Sequence, residues 1–177
     1  MSVPLLASSD IPTIPTTNRS RQRRRRVIAT LASIAQFGLP IRVTEFNFPG
    51  QRSAFLSDHS RQMTPSEEEA KAKAITDYYR ICFAHPAVNG ILMWGFWEGA
   101  NWIPASSLYK RDWTPTPAAD AYHDLIYKKW WTIWQGKIDQ SGVARVPAFY
   151  GTYKVTCAGQ SRTVQLRSRD GALTVRF

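Results

Sequence analysis

Apolar positions recur at helical spacing between Arg21 and Gln36, at Val27, Ile28, Leu31, Ile34 and Ala35, and the pattern stops at Gly38 and Pro40. Residues 40–48, PIRVTEFNF, then read as a strand of β-branched and aromatic residues. The next helical pattern opens on Thr64 as N-cap, Pro65 in the first helical position and Glu67 three residues after the cap. That is a capping box, with acids where the helix dipole favours them. It predicts a helix over 65–83, ended by His85-Pro86 because a residue before proline is pushed out of the α region. AVNGILMWGFW, residues 87–97, is mostly apolar, as in a strand covered on both faces of a parallel sheet. Thr116 and Pro117 start a third helix through about Trp131. This order predicts an α/β arrangement in which consecutive parallel strands are joined by a helix.

From Trp134 the period changes to two. Tyr153, Val155 and Cys157 alternate with polar residues, as do Leu173, Val175 and Phe177, and the turn pairs Ser141-Gly142, Ala158-Gly159 and Asp170-Gly171 separate the runs. A small antiparallel β module of four or five strands is expected over 134–177. Residues 1–20, rich in Pro, Thr and Ser and without period, read as a disordered tail, which leaves 21–133 as the α/β part.

Composition narrows the functional classes. An apolar fraction of 44% with seven Trp argues for a packed core, and a charged fraction of 20% is too low for a disordered chain. The net charge of +10 is unevenly spread: six Arg fall in RSRQRRRR, residues 19–26, and only Asp10 opposes them within residues 1–26, so that segment holds half of the excess. The run is read as a solvated arm, and no nucleic-acid partner is expected; a phosphate-binding role would show as affinity falling steeply with salt. Cys82 and Cys157 match no metal-ligand spacing, and neither a metal nor a cofactor is expected. No apolar stretch is long enough to span a membrane, and the first residues lack the basic start of a secretory signal.

One charge stands out. Glu45 interrupts an otherwise β-prone run, and a charge at the end of a buried parallel strand is costly unless it is paired or working. In α/β barrels the C-terminal strand ends carry the chemistry.

GLPIRVTEFNF, HPAVNGILMWGFWEGANW and LYKRDWTPTPAADAYHDLI, in that order, resemble the seventh strand, the eighth strand with its following loop, and the last loop and helix of glycoside hydrolase family 10, the (β/α)8-barrel xylanases. The likeness covers residues 27–131. It implies the C-terminal portion of a TIM barrel followed by a β-sandwich-like accessory module, acting as a hydrolase on xylan-like, β-1,4-linked polysaccharide by a retaining mechanism. By position it implies Glu45 as nucleophile, with Trp94 and Trp102 as walls of the sugar subsite beside the cleaved bond. Asn47 stands where many members carry an Asp, and Glu98 is expected as a loop carboxylate contacting sugar hydroxyls. Trp130, Trp131 and Trp134 are expected as packing residues at a domain junction.

The departures carry equal weight. A retaining glycosidase needs a second carboxyl as acid/base, which the family supplies from its fourth strand, and the family's sixth-strand His has no counterpart in residues 1–26. The chain is therefore expected to be a fragment, inactive alone, whose open sheet edges invite association. The competing expectation is a non-catalytic carbohydrate-binding protein.

Overall fold

The computed structural model describes residues 2–7, 18–50, 52–167 and 170–177. In chain order the elements are β1 (Ser2–Ala7), α1 (Asn18–Ala35), β2 (Ile41–Phe46), α2 (Ala54–Ser57), α3 (Pro65–Ala84), β3 (Val88–Met93), α4 (Pro117–His123), β4 (Val146–Ala148), β5 (Gly151–Cys157), β6 (Gln160–Leu166) and β7 (Ala172–Arg176). The chain divides into two units, Thr13–Leu125 and Ile126–Phe177 with the N-terminal residues 1–12.

The first unit is α/β. β2 and β3 pair in parallel, as the helix–strand order requires. Leu31 of α1, Ile41 of β2 and Cys82 of α3 form its buried centre, with Val27, Val43, Ile81, Val88 and Ile91 packed around them. α3 begins as the sequence predicts: the Thr64 side chain accepts from the Glu67 N–H while the Glu67 side chain accepts from the Thr64 N–H at 2.9 Å. Such a cap satisfies two of the orphan donors of a helix start. The third helix is shorter than expected, because α4 ends at His123 and Asp124–Lys129 continue as wide π turns.

β3 is not covered on both faces. Its helix-facing positions pack as above, but Leu92, Trp94 and Phe96, at period two along the strand and beyond it, are each about half exposed. α1 and α3 cover one face of a two-stranded sheet, and among the described residues the other face carries these half-exposed side chains. A continuous apolar run therefore marks two apolar faces, whether or not both are covered.

The second unit departs from a purely antiparallel module. β4, β1 and β7 form a three-stranded sheet with β1 in the centre, parallel to β4 and antiparallel to β7. β5 and β6 form a separate hairpin, turned through Ala158 and Gly159, both at positive φ, as a two-residue loop between twisted strands demands. Val146, Ala148 and Leu166 are its buried centre, backed by Tyr153, Val155, Val164, Leu173 and Phe177. Ser2–Ala7 thus do not belong to a disordered tail, and Asn18–Ser20 are already helix; residues 8–17 lie outside the described residues. Pro4 hid the strand, since proline inside a strand argues against it locally, and the partners that hold β1 lie at the far end of the chain.

Candidate functional site

The open face of the β2–β3 pair gathers most of the residues singled out by sequence. Register runs Val43 against Ile91, then Phe46 against Met93, so the ladder is irregular between Val43 and Phe46. Val43 and Phe46 both face the helices; Phe46 stacks on Tyr78 of α3 at 4.1 Å between ring centroids and meets Tyr79 edge-on. Two residues, Thr44 and Glu45, lie between them, and both are exposed. A bulge is what lets consecutive side chains share one side of a strand. The bulge turns Glu45 out of the helix-facing core, which removes the desolvation cost that a carboxylate there would carry.

The Trp94 N–H donates to the Phe46 carbonyl at 2.8 Å, extending the parallel ladder one step past β3. Glu45 and the half-exposed Trp94 therefore stand at the carboxyl ends of adjacent parallel strands. Asn47 follows β2 directly, and its side-chain nitrogen is buried with no hydrogen-bond partner among the described residues.

Trp102 is exposed on the loop after β3, and the loop is held by a residue that sequence reading passed over. Asn101 is buried, with Nδ2 2.6 Å from the Gly95 carbonyl and 2.8 and 3.0 Å from the hydroxyls of Ser107 and Ser106, while its Oδ1 accepts from the Ile103 N–H. Gly95, at φ +66, leaves room that a Cβ would take from the Asn101 amide. Lys71 of α3 was passed over as well: its Nζ donates to the carbonyls of Ala105 and Ser107 and lies 2.8 Å from Glu68 Oε2. Burial pushes the Lys71 pKa below the usual lysine value, against the pull of Glu68. The only local signal for either was a polar residue within an apolar pattern.

Glu98 sits in a different environment from Glu45. Its Oε2 accepts from the Arg111 N–H at 3.0 Å, its own N–H donates to the Tyr109 carbonyl, and it lines a small polar cleft with Glu68 and Lys71. Trp97, its sequence neighbour, stacks on Trp113 at 5.3 Å and donates from Nε1 to the Arg111 carbonyl. Both residues thus brace the loop. Of Trp130, Trp131 and Trp134, expected as packing residues, Trp130 is partly buried, while Trp131 is 61% and Trp134 46% exposed. Among the described residues no His, Cys, Asp and Glu cluster is arranged to hold a metal, Cys82 and Cys157 form no disulfide, and no helix is long and apolar enough to cross a membrane.

In α/β sheets and barrels ligands bind at the carboxyl ends of parallel strands, and a carboxylate and an aromatic ring stand at those ends here. The family is fixed by sequence comparison: residues 17–125, more than half of the chain, match glycosyl hydrolase family 10, and the chain belongs to that family. It is 33% identical over 127 residues to the anti-sigma-I factor RsgI6 of Acetivibrio thermocellus, covering 71% of this chain and 15% of that protein. It is 26% identical over 129 residues to endo-1,4-beta-xylanase 2 of Arabidopsis thaliana, covering 73% of this chain and 11% of the relative. Over 83 residues it is 29% identical to endo-1,4-beta-xylanase B of Cellvibrio japonicus, covering 47% of this chain and 11% of that enzyme. The chain spans between 11% and 15% of the length of these relatives.

Proposed function

We propose that β2 and β3 are the seventh and eighth strands of a family 10 (β/α)8 barrel, and that Glu45 is the nucleophile of a retaining reaction on xylan-type, β-1,4-linked polysaccharide. The observation that carries this reading is the bulge that sets Glu45 on the open sheet face at a strand's carboxyl end, beside Trp94. A retaining hydrolase attacks the anomeric carbon with one carboxylate to give a glycosyl-enzyme ester, while a second carboxyl about 5–5.5 Å away protonates the leaving oxygen and later activates water. Trp94 and Trp102 offer flat apolar surfaces to the C–H faces of pyranose rings. Asn47 supplies an amide donor at the same strand end.

Glu98 is not the acid/base in this reading, because its carboxylate already holds the Arg111 N–H. These 177 residues then carry the nucleophile half of the pair, and the proton donor comes from residues beyond them. The module over 134–177 is accessory to this chemistry.

An acid is dispensable when the leaving group is good enough, and this isolates Glu45. The chain is incubated with the dinitrophenyl glycoside of a xylobiose fluorinated at C2, whose ester turns over slowly, and intact mass and peptide mapping are recorded. The expected result is one stoichiometric adduct on Glu45, absent in Glu45→Gln, with no turnover of unactivated xylo-oligosaccharides. Binding of xylo-oligosaccharides without any adduct would instead make the chain a non-catalytic carbohydrate binder.

A further inference from the structure

Among the described residues no strand pairs with the outer side of β5 in the β5–β6 hairpin. Its sheet ends at β5, and along that edge runs a cleft of about 220 Å³, walled opposite by the extended segment that contains Thr132, Trp134 and Gly136. Five consecutive residues of β5, 153–157, line it. Successive side chains point to opposite faces of a strand, so the cleft follows the strand's edge, where main-chain N–H and C=O groups face outward.

Trp134 is the other half of the arrangement. Its indole packs against Gly136, in space that a Cβ on residue 136 would occupy, and the residue is 46% exposed. Tyr153 ties the two walls together: its hydroxyl donates to the Phe149 carbonyl at 2.7 Å and lies 3.3 Å from Thr132 Oγ1. The cleft therefore combines an apolar ring held in one orientation with a row of hydrogen-bonding groups, in a volume below the roughly 300–1,000 Å³ of drug-sized pockets. Pyranose rings need both: an aromatic surface for their C–H faces and donors and acceptors for their hydroxyls.

We propose that this cleft is a second, non-catalytic polysaccharide-binding site, taking one or two pyranose units of a neutral β-linked polymer between Trp134 and the edge of β5. The choice of polymer rests on the proposed xylan-type substrate; the site does not. A peptide strand adding to β5 is the rival occupant, but it has no use for an indole fixed by Gly136.

The test is affinity electrophoresis of the full chain in gels containing soluble xylan, on a Trp94→Ala/Trp102→Ala background that removes the aromatic walls proposed beside Glu45. The background protein is expected to be retarded by xylan, Trp134→Ala to weaken the retardation about tenfold, and Trp134→Phe to keep most of it. Gly136→Ala, which displaces the indole, is expected to behave like Trp134→Ala with an unchanged circular dichroism spectrum. Equal retardation of Trp134→Ala and its background, or no retardation of the background, overturns the proposal. Adduct formation on Glu45 is read separately, so failure of either site is distinguishable from failure of the other.

Discussion

Replacing Lys71 by Met isolates the contact that fixes the Trp102 loop to α3. The side chain is 1% exposed, and three partners depend on it: the carbonyls of Ala105 and Ser107, at 3.1 and 3.0 Å, and Glu68 Oε2 at 2.8 Å. Met fills the volume of the stem, so little cavity remains and the cost is electrostatic. Removing one partner of a buried ion pair costs about 3–5 kcal/mol. Glu68 is 19% exposed and regains some water, which places the expected loss at the lower end of that range, about 3 kcal/mol. Urea unfolding followed by tryptophan fluorescence reads it as a midpoint lowered by roughly 1–3 M at an unchanged slope. Glu68→Gln, which keeps a partner for the ammonium, is expected to cost less. A Lys71→Met loss within about 0.5 kcal/mol, the range of ordinary surface substitutions, would refute the argument, because the loop would then be held without the ammonium.

Other consequences are equally direct. Thr64→Ala removes the acceptor of the capping box and is expected to cost about 1 kcal/mol in the same unfolding assay. Gly95→Ala puts a Cβ 2.5 Å from the Asn101 amide carbon at a positive φ, and is expected to loosen residues 95–107, read as faster amide exchange there with α3 still protected. Burial raises the Tyr78 pKa from 10.0 to about 12, and it also raises those of Tyr79 and Cys82. A raised folded-state value means that the stability tied to the proton is fully present below pH 10.0 and is lost as pH climbs through about 12. Tyr78→Phe is therefore expected to flatten the fall in stability over that window, and an unchanged slope would count against the burial seen here.

What the sequence disclosed follows from how local each signal is. α3 was legible because cap, first-turn proline, acids and the terminating His85-Pro86 all lie within its own residues. β2 and β3 were legible as strands from side-chain type, and Glu45 from its contrast with its neighbours. The bulge was not, since it exists only in the register between two strands whose paired residues lie 47 or 48 positions apart. Asn101 and the loop contacts of Lys71 escaped notice for a similar reason: their partners are main-chain carbonyls and, for Asn101, hydroxyls too, which carry no signature in residue type. β1 was the hardest case, a proline-containing strand whose neighbours are β4 and β7.

That strand has a consequence for how the chain folds. Ser2 pairs with Arg176, so the central strand of the three-stranded sheet can be zipped only once a strand far along the sequence is available to it. Loop closure over such a separation is slow relative to the helix and hairpin steps in between. The α/β unit therefore has time to form while β1 waits with two bare edges, the state in which a strand is most open to pairing with a neighbouring chain.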